Sequence, residues 1–150
     1  MALDDDIAVL LAAPLFGLMN RDALRLISFA AERRRLEPGA VLYSRGDTAE
    51  GGFVVTRGTV VIEPRSPRGA PIEAGPAARI GQSALFFPAE RPTAARAGTG
   101  PVEVMDVTQA LMRRVLEVFP ETAAVIHDAL ADELAALTRA FADSRAADPT

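Results

Sequence analysis

The sequence contains no cysteine and no lysine, and it has a single histidine, His127. Without cysteine there can be no disulfide, no thiolate metal site and no cysteine nucleophile. One imidazole cannot build a site that needs several, so we expect no metal centre and no cofactor. All 16 basic residues are arginine, and the 20 acidic residues give a net charge of −4, which disfavours nucleic acid as the main partner.

Long hydrophobic runs are also missing, because Asp, Arg or Pro interrupts every one of them well short of a bilayer span. We therefore expect no membrane partner. Hydrophobic residues make up 49% of the 150 residues and charged residues 24%, which predicts an ordered chain with one core, a single domain over residues 1–150. The acidic start at Asp4 to Asp6 is unlike a secretory signal, so we expect a cytoplasmic protein.

Helical patterns occupy both ends of the chain. Apolar residues at helical spacing predict a helical lead-in over about 1–32, divided by Pro14 and Gly17, with Asn20 as the N-cap of a helix from about Arg21 to Ala31. Two further helices are predicted over about 107–146, with the second beginning near Pro120.

The last predicted helix carries an apolar seam. Its members recur at spacings of four, three and four residues: Leu130, Leu134, Leu137 and Phe141. Such a seam is typical of a coiled coil and predicts a homodimer, although burial against the same chain is the alternative.

Short apolar runs separated by Gly or Pro fill residues 33–106. The predicted strands include 41–43, 53–55, 59–62, 72–74, 94–99 and 102–105. Several short strands at this spacing predict a mainly β fold with flanking helices, an antiparallel jelly-roll, or double-stranded β-helix, barrel.

One segment of the β region has a recognisable order of residues. Gly81-Gln82-Ser83-Ala84-Leu85 is followed a few residues later by Arg91-Pro92-Thr93. Together with the preceding Pro-Gly, Gly-Asp and Gly-Thr-Val-Val turns, and with helices at both ends, this order resembles the cyclic nucleotide-binding domain. The resemblance covers roughly residues 10–137.

This resemblance implies a phosphate-binding cassette over 81–93 and cyclic AMP or cyclic GMP as the ligand. Arg91 matches the guanidinium that receives the phosphate, and Gly81 matches a position where the backbone approaches the sugar. The N–H groups of Ser83, Ala84 and Leu85 match the helix start that faces the phosphate. The resemblance also places the purine under the last helix, where the possible base cap is Leu134, Leu137, Thr138 and Phe141.

Two residues depart from the family pattern. Gln82 replaces the family's glutamate, which accepts the ribose hydroxyl, and Pro92 has no N–H to offer where the family donates one to the phosphate. Thr93 supplies a hydroxyl one position later. These departures leave open a degenerate, ligand-free interaction or scaffold module, and Arg91 could instead pair with Glu90 or Glu103.

We therefore predict a non-catalytic sensor that signals through its C-terminal helices to an effector protein or a dimer mate. A metal-dependent enzyme of the same architecture would need clustered histidines, and no Ser, His and Asp arrangement suggests a hydrolase. Because the chain ends at Thr150, we expect no helix-turn-helix.

Overall fold

The computed structural model describes residues 2–64, 66–86 and 89–147. Within these ranges the helices are α1 (Ala2–Ala12), α2 (Arg21–Ala30), α3 (Gln109–Val118) and α4 (Pro120–Ala147), with 3-10 turns at Phe16–Leu18 and Gln82–Leu85. The predicted helical segments at both ends are confirmed. None of the described helices is both long and apolar enough to cross a membrane.

Between the helical segments lie short antiparallel strands. They are β1 (Glu32–Leu36), β2 (Val41–Tyr43), β3 (Thr48–Ala49), β4 (Gly51–Arg57), β5 (Val60–Ile62), β6 (Ile72–Ala74), β7 (Arg79–Ile80), β8 (Ala89–Glu90), β9 (Ala95–Ala97) and β10 (Val102–Thr108). The first sheet has the order β1-β10-β4-β7, the second has the order β2-β9-β5-β6, and β3 pairs with β8. The predicted antiparallel jelly-roll fold with flanking helices is confirmed.

The first sheet separates two hydrophobic clusters. Along β4, Val54 belongs to the cluster shared with the helices, whereas Phe53 and Val55 belong to the cluster between the two four-stranded sheets. On β10, Val104 likewise faces the second sheet and Met105 faces the helices. The two-residue period of a strand produces this alternation, so each side of the sheet is buried against a different layer.

The N-terminus of α2 is capped as predicted. The Asn20 side-chain oxygen accepts a hydrogen bond of 2.8 Å from the Ala23 N–H. Asn20 also donates to the Glu121 carboxylate at 3.3 Å, which ties the start of α2 to α4.

Replacing Asn20 with alanine is expected to lower the free energy of unfolding by about 1 kcal/mol, because an orphan N–H of the first turn loses its partner. Urea denaturation followed by circular dichroism measures this loss. Asn20→Ser keeps a capping oxygen and is the matched control. Equal stability of Asn20→Ala and the natural chain would show that the cap contributes nothing.

Helix α4 is buried near its start and exposed further along. Near its start Ile126 is only 2% exposed and belongs to the helical cluster, and Leu130 packs partly against that cluster. Residues 131–140 are all exposed, including Leu134 at 65% and Leu137 at 69%. The described part of α4 therefore extends beyond the surface that the chain's own core covers.

Candidate anion-binding site

A cavity of about 390 Å³ adjoins the segment that the sequence singled out. The predicted site residues that line it are Gly81, Ala84, Arg91, Pro92 and Thr93, and residues of the strands complete the wall, among them Tyr43, Ile62, Arg79 and Ile80. The fold thus brings residues from both ends of the predicted cassette to one concave surface. A volume in this range suits a small-molecule ligand.

The backbone of Arg91 is fixed by its neighbours. Strand β8 pairs with β3, and directly after β8 the Arg91 N–H donates to the Asp47 carbonyl at 2.8 Å. The Arg91 carbonyl accepts from the Gly46 N–H, also at 2.8 Å. These two hydrogen bonds hold the start of the Arg91 side chain in one place.

The Arg91 side chain points inward and is only 7% exposed. Its Nη2 donates to the Gly51 carbonyl at 2.8 Å, and its guanidinium carbon lies 4.5 Å from the Tyr43 ring centre and 5.3 Å from that of Phe53. Cation–π contacts of this kind stabilise a desolvated guanidinium.

Arg91 forms no ion pair within 4.0 Å with any carboxylate of the described residues. Glu103, one of the two partners considered for it, instead pairs with Arg35 at 3.2 Å. The other, Glu90, is exposed. The site therefore holds a buried positive charge that contacts a carbonyl and two aromatic rings and has no ion pair among the described residues.

Burial dominates the electrostatics of the site. It lowers the pKa of Arg91 from its usual value, and the charges of Tyr43, Asp106 and Asp47 oppose that shift. Burial likewise raises the pKa of Tyr43, and Arg91 opposes this. A guanidinium keeps its charge under these conditions, so an anion entering the cavity would meet a positive, poorly solvated group.

Gly81 is required by this arrangement. It has a φ of +70°, a backbone conformation that side chains disfavour, and a Cβ there would collide with Nη1 of Arg91. The guanidinium occupies the space that a side chain at position 81 would need.

Substituting Gly81 with alanine is expected to displace the Arg91 guanidinium and so weaken anion binding, with a loss of stability of about 1 to 2 kcal/mol from the backbone strain. Gly39→Ala is the matched control, because Gly39 has a φ of +77° with open space around it. Calorimetric titration and thermal unfolding of both variants separate the two effects. Equal ligand affinity of Gly81→Ala and Gly39→Ala would contradict the assigned contact.

The other predicted site residues lie in different surroundings. The Ala84 N–H donates to the Gly81 carbonyl at 3.1 Å, within a 3-10 turn of four residues, so it is already engaged. Leu85 is buried in the helical cluster and does not line the cavity.

Thr93 is buried, its hydroxyl has no hydrogen-bond partner among the described residues, and Pro92 is exposed. The predictions for the side chains of Gln82 and Ser83 fall outside what the structure describes.

The predicted base cap is not assembled at the cavity. Leu134 and Leu137 are exposed, and the Thr138 hydroxyl donates to the Leu134 carbonyl of its own helix at 2.9 Å. In the described part of α4, no residue lines the cavity. The side chain of Phe141 is outside the described residues. Capping of a base by α4 therefore stays a prediction.

Sequence reasoning missed the aromatic and carbonyl groups that hold the guanidinium. Tyr43 and Phe53 stack on one another with ring centres 6.1 Å apart. The sequence did contain a signal for Phe53, because strand alternation places its side chain on the inner face of β4. Arg79 was also missed as a wall residue; it donates to the Pro14 carbonyl at 3.4 Å, and burial lowers its pKa while Glu133 of α4 opposes the shift.

The chain resembles several solved structures. It is 28% identical to the N-terminal domain of a transcriptional regulator from Streptomyces coelicolor, with a TM-score of 0.80 over 89% of this chain and 94% of that one. It is 34% identical to a cyclic nucleotide-binding-like protein from Brucella abortus, with a TM-score of 0.66 over 76% of this chain and 99% of that one. The sensor domain of the regulator DNR from Pseudomonas aeruginosa shares the fold at 18% identity and a TM-score of 0.68, over 85% of this chain and 87% of that one.

A scan of protein-family models finds no match, and neither does a search of curated proteins. The sequence identity of 34% to the Brucella protein is nevertheless high enough to show a shared family, and the alignment covers nearly the whole length of that protein. The fold is that of a regulatory domain of the jelly-roll type. The chain belongs to the cyclic nucleotide-binding domain family.

Proposed function

We propose that this domain is a non-catalytic sensor that binds cyclic AMP or cyclic GMP, with the cyclic phosphate received by Arg91. The observation that carries the proposal is the buried Arg91 guanidinium, which lines the cavity without an ion pair to any carboxylate of the described residues. A buried charge without a direct ion pair costs free energy that the more distant Asp106 and Asp47 offset only in part, so its retention needs a reason. A cyclic phosphodiester carries one negative charge and would compensate it in a charge-assisted hydrogen bond.

The remaining wall supports a nucleotide rather than a bare anion. Beside Arg91, the cavity offers the hydroxyl of the buried residue Thr93 as a donor and the apolar side chains of Ile62, Ile72 and Ile80 as surface for a sugar or base; the carboxylate residues Glu63 and Glu90 also line it. A bare inorganic anion would leave this apolar surface unused. The relatives are in line with this proposal, because the Brucella protein is described as cyclic nucleotide-binding-like.

Titration calorimetry of the natural chain with cyclic AMP and cyclic GMP tests the proposal. We expect one nucleotide to bind with one site per chain. The open 5′-monophosphate of the same base is the control, since its extra charge and different shape should weaken binding in a cavity with one buried guanidinium. Failure of both cyclic nucleotides to bind would contradict the sensor.

The proposed output runs through α4, whose exposed half pairs two copies of the chain. Leu134 and Leu137 lie exposed on that half, and they continue the spacing that begins at the partly buried Leu130. Pairing two such helices would remove both leucines from water, at about 25 cal/mol per Å² of apolar surface. Ligand binding would then act by shifting the population of α4 positions that already exists without ligand.

Replacing Leu134 and Leu137 together with glutamate is expected to convert a dimer to a monomer, because two buried apolar contacts per chain become repelling charges. Ala135→Glu with Ala136→Glu adds the same charge at exposed positions outside the seam and should leave the dimer intact. Sedimentation equilibrium measures the association state. A natural chain that sediments as a monomer at high concentration would contradict the proposed pairing.

A ligand-free interaction module is the second candidate. It is favoured by two features of the cassette: the Ala84 N–H is already bonded to Gly81, and Pro92 has no N–H to donate. In that case the fold persists as a docking surface for another protein, and the buried arginine is a remnant.

A further inference from the structure

A second cavity, of about 270 Å³, is also lined by Arg91. Arg91 and Tyr43 line both cavities, so both cavities adjoin the same arginine. The second cavity is also lined by charged residues, Arg34, Asp47, Glu50 and Asp106. Any change in charge there acts on the same guanidinium that faces the proposed ligand.

Asp106 occupies an inward position of the first sheet. On β10 the side chains of Val102 and Val104 belong to the cluster between the sheets, and strand alternation places Asp106 on that same face. It stands opposite Phe53 of β4 on one side and Glu32 of β1 on the other. A half-buried carboxylate at a core-facing position requires an electrostatic explanation.

The cations that face Asp106 come from two parts of the chain. Arg34 of β1 lies over the Phe53 ring with its guanidinium carbon 5.7 Å from the ring centre, and Arg91 lies 5.3 Å from the centre of the same ring. Neither arginine is within 4.0 Å of the Asp106 carboxylate, so both act on it across the cavity. The other carboxylates that line the cavity are Asp47 and Glu50, and Glu32 is the register partner of Asp106 on β1.

The charged neighbours of Asp106 have opposite effects on its pKa. Burial raises the pKa of Asp106, Arg34 lowers it, Glu32 raises it, and Arg91 lowers it. In the same way the charge of Asp106 raises the pKa of Arg91. Asp106 and Arg91 thus stabilise each other's charged forms without direct contact.

We propose that Asp106 is a positioning residue of the anion site, an inference that rests on the proposed function. Asp106 acts on a bound anion through Arg91. As a result, anion binding and protonation of Asp106 favour each other. An anion in the first cavity offsets the positive field of Arg91 that keeps Asp106 charged. The proton that Asp106 then takes up comes from solvent. Because linkage is reciprocal, lowering the pH through the titration of Asp106 tightens anion binding by the same coupling.

The first test needs no ligand. Carbon-13 NMR titration follows the Asp106 carboxyl, assigned with Asp106→Asn, in the natural chain and in three variants. We expect the pKa of Asp106 to rise in Arg91→Met, to stay near its natural position in Arg91→Lys, which keeps the charge, and to be unchanged in the exposed Arg96→Met. An unchanged pKa of Asp106 in a folded Arg91→Met variant would overturn the proposal.

The second test measures proton uptake on binding. Calorimetric titrations with the cyclic nucleotide are run in two buffers of different ionisation enthalpy, at the pH where the NMR titration finds Asp106 half-protonated. They should show proton uptake by the natural chain and none by Asp106→Asn. At neutral pH, Asp106→Asn should bind roughly fivefold more tightly than the natural chain. Glu103→Gln makes the same charge change on the same strand, outside the cavity, and should behave as the natural chain. Equal affinity and equal proton uptake in Asp106→Asn and the natural chain would overturn the proposal.

The two tests separate the failure of this proposal from the failure of the sensor. If the natural chain binds neither nucleotide, the proposed function is wrong, and the NMR titration still decides whether Arg91 sets the charge of Asp106. If the nucleotide binds and Asp106 does not respond, the sensor stands and Asp106 has no part in it.

Discussion

Replacing Arg91 with methionine is expected to weaken binding of the cyclic nucleotide by about 100-fold. The guanidinium is the one buried cation that lines the cavity among the described residues at 7% exposure, and methionine fills a similar volume without a charge or donor. Loss of a charge-assisted hydrogen bond costs about 1.5 to 3 kcal/mol, which corresponds to roughly 10- to 150-fold in dissociation constant. Titration calorimetry measures the change.

Two controls make this result interpretable. Arg96→Met removes the same charge from an exposed position of β9 and should bind as the natural chain does. Arg91→Lys keeps the charge but cannot reproduce the planar fork of the guanidinium, so it should recover only part of the affinity. Natural affinity in a folded Arg91→Met variant would remove Arg91 from the site.

The double substitution Gln82→Glu with Pro92→Ala is expected to strengthen binding by about thirty- to a thousand-fold. The first change makes the acceptor for the ribose hydroxyl a charged one, and the second restores a backbone N–H beside Arg91. A charge-assisted hydrogen bond contributes about 1.5 to 3 kcal/mol and a neutral one about 1 kcal/mol, so the two together contribute roughly 2 to 4 kcal/mol. Calorimetry of the two single variants and the double variant measures the gain and any coupling between the positions.

The double variant also separates the two candidate functions. If the natural chain binds weakly and the double variant tightly, the sensor is supported. Binding that appears only in the double variant would instead favour the ligand-free interaction module. Adding Arg91→Met to the double variant is the control, since it should cancel most of the gain if the new groups act on the same phosphate.

Much of the fold could be predicted because local chemistry determines it. The Asn20 cap, the break at Pro120 and the alternation along β4 each depend on a few neighbouring residues, and each is found where the pattern places it. The strands β3, β7 and β8 were missed because each has two residues, too few to establish a period of two. Their pairing matters for function, since β3 and β8 fix the backbone that leads into Arg91.

The candidate site could be predicted only in part, because only some of its features depend on residues that are neighbours in the sequence. The identity and spacing of Gly81 and Arg91 are local, and the structure brings both to one cavity. The surroundings of the guanidinium depend on tertiary contacts, because Tyr43, Phe53 and Asp106 come from three different strands. Periodicity likewise identified the apolar face of α4 but not what covers that face, and Leu134 and Leu137 are exposed in this chain. The base cap that the family resemblance implies for these residues stays a prediction.

The proposed sensor depends on the Arg91 guanidinium receiving the phosphate of a cyclic nucleotide in the cavity beside Gly81. A crystal structure of the chain grown with cyclic AMP or cyclic GMP tests it most directly. We expect a phosphate oxygen within hydrogen-bond distance of the Arg91 guanidinium, with the sugar against the backbone of Gly81. Nucleotide bound elsewhere on the chain, with Arg91 still bonded to Gly51 alone, would contradict it.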